Sequence, residues 1–226
     1  MASGRWMTAI LFDIDGTLLD HDAAERAGKI ALHRKTESRL PIDEFCSRWS
    51  AALEHHFERY LQGYITYEEQ GRSRVREVID GSLSDVAADR IYAEYLREYE
   101  RAWSLFPDVL PCLDRLSRRR LGIISNGMAS EQMRKLVNMG IDARFQAIVI
   151  SGDCGYAKPS AEIFELGCVA INEKPTNVIY IGNNYESDAR AARDAGLLGV
   201  WIDRNGVATE HHVPPIISTL GELHCF

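Results

Sequence analysis

Five short, β-branched apolar runs set the frame of this chain: Thr8–Phe12, Leu121–Ser125, Ala147–Ser151, Val178–Gly182 and Leu198–Ile202. Each is bordered by helical patterns, and strands alternating with helices read as an α/β fold, a Rossmann-like parallel sheet joined by crossover helices. Helix starts fall between the runs. Asp108, after Pro107, is expected to cap Val109–Arg119. Ser130 is expected to cap Glu131–Met139, which Gly140 stops, and Ser160 to cap Ala161–Ala170. The interval from His21 to Ser104 has no such run and reads as helical throughout. Phe45, Trp49, Ala52, Leu53, Phe57 and Tyr60 recur at three- and four-residue steps, and Val86, Ile91, Tyr95 and Tyr99 suggest another amphipathic helix. These aromatics read as the core of a helix bundle. The expected organisation is a sheet core made of residues 1–20 and 105–226, interrupted by an all-helical domain over 21–104.

The runs end in polar residues, and open α/β sheets place ligands at the carboxyl ends of their strands. The first run leads into Asp13-Ile14-Asp15-Gly16-Thr17-Leu18. Strand alternation would point both Asp side chains the same way. Like charges that close are costly unless a cation sits between them, and Mg²⁺ is the usual one. The second run ends in Ser125-Asn126-Gly127, a hydroxyl and an amide suited to a phosphoryl oxygen, beside a glycine that lets the backbone approach. After Ser151-Gly152-Asp153 comes Lys158, just before a helix start, where an ammonium can neutralise acids and a phosphate. The fourth cluster, Gly182-Asn183-Asn184-Tyr185-Glu186-Ser187-Asp188, offers Asp188 to a hard-metal site of oxygen ligands.

Composition narrows the partners. The 26 Lys and Arg against 33 Asp and Glu leave a net charge of −7. That argues against a nucleic-acid or anionic-membrane binder, though not against a small anionic substrate in a local basic pocket. The five cysteines are scattered and contain no CxxC pair, which points away from a disulfide framework or zinc and toward buried free thiols in a reducing cytoplasm. Met1–Met7 carries no long apolar stretch, and no segment approaches the roughly 18 apolar residues of a membrane span.

Taken in order, these clusters resemble the four motifs of the haloacid dehalogenase (HAD) superfamily, specifically its metal-dependent phosphatases with a helical cap between the first two motifs. Gln132 and Lys135-Leu136 support the second motif, Ile163-Phe164 the third, and Ala191-Ala192 with Ala195-Gly196 the fourth. The resemblance implies a phosphoric monoester hydrolase. Asp13 would be the nucleophile that forms an aspartyl-phosphate, and Asp15 the acid and then the base. Asp13, the Asp15 carbonyl and Asp188 would hold Mg²⁺, while Ser125, Asn126 and Lys158 would bind the phosphoryl group. The implied substrate is a small phosphorylated metabolite such as a nucleotide, a sugar or sugar-acid phosphate, or flavin mononucleotide.

One position departs from the family pattern. Asn183 stands where Asp is usual; its amide can still ligate or hold a metal-bound water, but it brings no charge, so weaker Mg²⁺ binding is expected. Asp15 argues against carbon–halogen hydrolysis and against Schiff-base phosphonate cleavage, for which Lys29 and Lys35 are also badly placed. A phosphomutase and a non-catalytic phosphometabolite sensor remain as alternatives. In the helical insert, Arg72, Arg74 and Arg76 form the densest basic patch and are candidates to meet an anionic leaving group; the competing reading pairs them with Glu68, Glu69 or Glu77. Either a monomer or a homodimer is compatible with the sequence.

Overall fold

β1 (Ala9–Phe12) lies in the middle of a six-stranded sheet, between β2 (Arg120–Ser125) and β4 (Val178–Gly182). β3 (Ala147–Ile150) follows β2 on one side; β5 (Leu198–Ile202) and β6 (Ile216–Ile217) follow β4 on the other, and every pairing is parallel. This computed structural model describes residues 8–209, 211–213 and 215–225; Met1–Met7, read above for a leader, lies outside them. The α/β class read from the apolar runs is the observed one. All of β1 and all of β4 are buried, as both faces of a parallel sheet require. On one face Leu11, Ile124, Phe164 and Tyr180 form part of the core, the last two rings meeting edge-on at 5.1 Å. The chain builds outward from β1 through β2 and β3, then returns to its other flank as β4. The strand order therefore reverses beside β1, which makes its carboxyl end a switch point where α/β sheets bind ligands.

The chain divides into two compact units. One is His21–Ser104; the other joins the segment ending at Asp20 to that beginning at Leu105. The first is helical: α1 (His21–Lys35), α2 (Ile42–Leu61), α3 (Tyr67–Val78) and α4 (Asp85–Arg101). Thr66 and Glu69 close a reciprocal capping box at the start of α3. Phe45, Trp49 and Ala52 are buried as their spacing predicts; Leu53, Phe57 and Tyr60 are only half-buried. On α4 the inner face is Ala88, Tyr92, Tyr95 and Tyr99, whereas Val86, expected there, is 62% exposed. Tyr95 takes the central place, 4.9 Å from the Trp49 ring.

The sheet unit carries α5 (Val109–Arg115), α6 (Ala129–Asn138), α7 (Ser151–Cys154), α8 (Ala161–Ala170) and α9 (Ala191–Asp194). Its caps correct the sequence reading. Asp108 does not cap α5, which ends at Arg115; its carboxylate instead accepts from Arg204, Thr219 Oγ1 and the Leu220 N–H. Met128, not Ser130, precedes α6, and the Ser160 hydroxyl donates to Glu162 instead of capping α8. The four described cysteines are free, but only Cys112 and Cys168 are buried. Among the described residues, no helix is long and apolar enough to cross a membrane.

Candidate active site

Register places the polar ends of three strands at one edge. Phe12 pairs with Ile123 on one side and Ile181 on the other. Asp13 extends the ladder by one residue, its N–H donating to the Ile181 carbonyl at 2.9 Å. The chain then turns sharply: the Ile14 carbonyl accepts from both Leu18 and Leu19, and Gly16 takes the left-handed conformation at φ +75°. A side chain at Gly16 would also overlap the amide of Asn183.

Each of the two carboxylates meets a buried lysine. Asp13 Oδ1 lies 2.8 Å from Lys158 Nζ, while both oxygens of Asp15 accept from Lys135 Nζ at 2.8 and 2.9 Å. Lys158, 6% exposed, also reaches Asp188 Oδ1 at 2.7 Å and the Tyr180 hydroxyl at 3.0 Å. Burial works against the Lys158 charge, but Asp13 and then Asp188 outweigh it and hold the ammonium above its ordinary range. Burial pushes Asp13 up to about 6, with Lys158 opposing and Asp188 adding to the rise.

Asp188 sits in a six-residue π-helix, Tyr185–Arg190, directly after β4. It is 1% exposed, and its Oδ2 accepts from the Asn184 N–H at 2.9 Å. Asn184 holds the start of that helix by accepting from the N–H groups of Glu186 and Ser187. Asn183 is exposed, its carbonyl held by Trp201 Nε1 at 2.8 Å.

Ser125 ends β2 and Asn126 follows it. The Asn126 amide bonds Lys158 on both sides, Nδ2 donating to its carbonyl at 3.0 Å and Oδ1 accepting from its N–H at 2.8 Å. Asn126 thus uses its side chain to fix Lys158. Ser125, also 1% exposed, accepts from Gln132 Nε2, which reaches Asp15 Oδ2 and the Asn126 carbonyl as well, all at 2.9 Å. The roles of Gln132, Lys135 and Tyr180 were not foreseen. In the sequence Gln132 and Lys135 figure only as supports of the second motif; they are three apart on α6, a spacing that puts them on one face. Tyr180 gave no sequence signal, since an aromatic inside an apolar strand reads as core.

The candidate donors are oxygens: the carboxylates of Asp13 and Asp188, and the Asn183 amide that lies against the Gly16 turn. That set suits Mg²⁺, which uses one or two carboxylates and retains water. Among the described residues, no three His, Cys, Asp or Glu side chains cluster as a metal site, and a lysine stands between Asp13 and Asp188.

The three candidate arginines of the helical unit, Arg72, Arg74 and Arg76, are already engaged within it. Arg72 forks onto Asp89 at 2.7 and 2.9 Å, and Arg76 pairs with Asp85. These ion pairs go to acids of α4, against which α3 packs; Glu77 bonds His56, and of the expected acids Glu68 still adds to the field at Arg72. Arg74 has a side chain 3% exposed, stacked 4.7 Å from the Trp49 ring and near Glu25.

Comparison with known proteins agrees with this layout. The family profile of the haloacid dehalogenase-like hydrolases matches residues 7–196. The glyceraldehyde 3-phosphate phosphatase of Methanopyrus kandleri is 30% identical, over 87% of this chain and 84% of its own. The phosphoserine phosphatase of Thermus thermophilus is 28% identical, over 88% and 89%. In fold, the chain superposes on the magnesium-bound HAD-hydrolase YfnB of Bacillus subtilis with a TM-score of 0.80, at 22% identity and covering 97% and 98% of the two chains. The chain belongs to the haloacid dehalogenase-like hydrolases, on their phosphatase side.

Proposed function

We propose that this chain is a Mg²⁺-dependent phosphomonoesterase that works through an aspartyl-phosphate on Asp13. The observation that carries the reading is the Asp13–Lys158–Asp188 chain at the switch point, with a second acid, Asp15, paired to Lys135. Asp13 is buried, paired with an ammonium and oriented from a strand end, as a nucleophile needs to be. Its oxygen attacks phosphorus as the bond to the leaving oxygen breaks, and Asp15 delivers the proton that the leaving oxygen takes up. Asp15 then removes a proton from the water that attacks the phosphorus of the aspartyl-phosphate, freeing phosphate and restoring Asp13. Lys158 and the Ser125 hydroxyl hold the phosphoryl oxygens, where charge accumulates during transfer, together with the Asn126 N–H. Mg²⁺, held by Asp13, Asp188 and the Asp15 carbonyl with help from Asn183, supplies further charge stabilisation at the phosphoryl oxygens.

The substrate is a small phosphorylated metabolite, in the size range of the phosphoserine and glyceraldehyde 3-phosphate named for the relatives. Residues 21–104 act as the cap that selects its leaving group, and the free thiols suit a cytoplasmic setting. Hydrolysis of p-nitrophenyl phosphate with Mg²⁺ and with EDTA tests the reading. Turnover that stops with EDTA and returns with added Mg²⁺ supports it; metal-independent turnover contradicts it.

A further inference from the structure

Lys135 and Gln132 are both 2% exposed, and both turn their nitrogen toward Asp15. Lys135 has a further partner, Glu131, at 3.1 Å. The Gln132 nitrogen spans Asp15 Oδ2, Ser125 Oγ and the Asn126 carbonyl, while its own carbonyl oxygen is buried with no hydrogen-bond partner. A buried ammonium and an orphaned amide oxygen both cost stability, and an apolar pair of similar volume would generally avoid that cost. What these residues supply is position. Asp15 stands in a turn beyond its strand and its side chain is 26% exposed, so an unsupported carboxyl there would sample several rotamers. Instead one helix face fixes it, and the same amide nitrogen ties it to Ser125.

We propose that Gln132 and Lys135 are positioning residues that aim the Asp15 carboxyl at the leaving oxygen and register it against the Ser125-bound phosphoryl group. This rests on the reading of Asp15 as the acid given above. A positioned acid matters most for a leaving group that cannot depart as its anion, so the effect is specific to the ester.

The test compares kcat/KM for p-nitrophenyl phosphate and for an alkyl phosphate such as glycerol phosphate. It uses the wild type, Asp15→Asn, Lys135→Met and Lys135→Arg, with thermal melting to confirm folding. Lys135→Met should lower kcat/KM for the alkyl ester at least about tenfold more than for the aryl ester, following Asp15→Asn, and Lys135→Arg should restore part of the difference. If Lys135→Met does not fold, Gln132→Leu carries the same comparison. Equal losses on both esters, with Asp15→Asn selective, overturn the positioning role alone. An Asp15→Asn variant without selectivity overturns the acid assignment beneath it.

Discussion

The carboxyl group of Asp188 fills the space that a side chain at Gly182 would occupy. The end of β4 and the π-helix after it are folded so closely together that only glycine leaves room for the acid. Gly182→Ala should therefore displace Asp188 from Lys158, lower stability by about 1–3 kcal/mol and weaken metal binding. Thermal melting with and without Mg²⁺ checks this: the Mg²⁺-induced rise in Tm should shrink in the variant. An unchanged rise would show that Asp188 is not a ligand or is not displaced.

Lys158 is the counter-charge of two buried acids. Lys158→Met leaves Asp13 and Asp188 facing each other without it, a loss of about 3–5 kcal/mol by the usual cost of breaking a buried pair. Activity should fall by about 10²–10³-fold, since a cation aimed at the phosphoryl oxygens goes with it. Urea unfolding and kcat measure the two effects. Saturating Mg²⁺ should recover part of the stability and little of the rate.

Asn183 lies against Gly16 in the first-motif turn, so a carboxylate there would join the oxygen donors with no change in size. Asn183→Asp is expected to lower the Mg²⁺ concentration for half-maximal rate about tenfold, equivalent to ~1.4 kcal/mol. Titration calorimetry with Mg²⁺ alone should show the same direction.

In the helical unit, burial would raise the Glu25 carboxyl, but His21, Lys29 and Arg74 outweigh it and hold it below its usual value of 4.5. An acid depressed in the folded state adds stability above its unfolded pKa, and that stability disappears as pH falls through the lower folded value. Glu25→Gln should thus cost about 3–5 kcal/mol at pH 6, where Lys29 and Arg74 lose their counter-charge, with the gap closing at pH values well below 4.5. Urea unfolding of both proteins at a series of pH values reads the gap directly; a gap that does not change with pH would remove Glu25 as its source.

The strands were readable because a buried parallel strand is a short β-branched run, and β4 and β5 match theirs to the residue. The two-residue β6 was not, since Ile216–Ile217 is too short to carry a pattern. The helix caps failed for a tertiary reason: Asp108 has the local signature of a cap, yet its partners Arg204 and Thr219 lie 96 and 111 residues away and win. The same limit hid the second acid's surroundings. The link from Asp15 to Lys135 spans 120 residues, beyond the reach of any local pattern. Tyr95 and Tyr99 were visible on α4, but the phase of that helix was set by packing on Trp49, which moved Val86 to the surface.

The central claim is that Asp13 becomes covalently phosphorylated. Brief mixing with a ³²P-labelled phosphomonoester, followed by acid quenching, tests it most directly. The account predicts protein-bound label that hydroxylamine removes, that maps to the peptide containing Asp13 and that is missing from Asp13→Asn. Steady turnover by the wild type with no such label, or label of the same lability on Asp13→Asn, would contradict it.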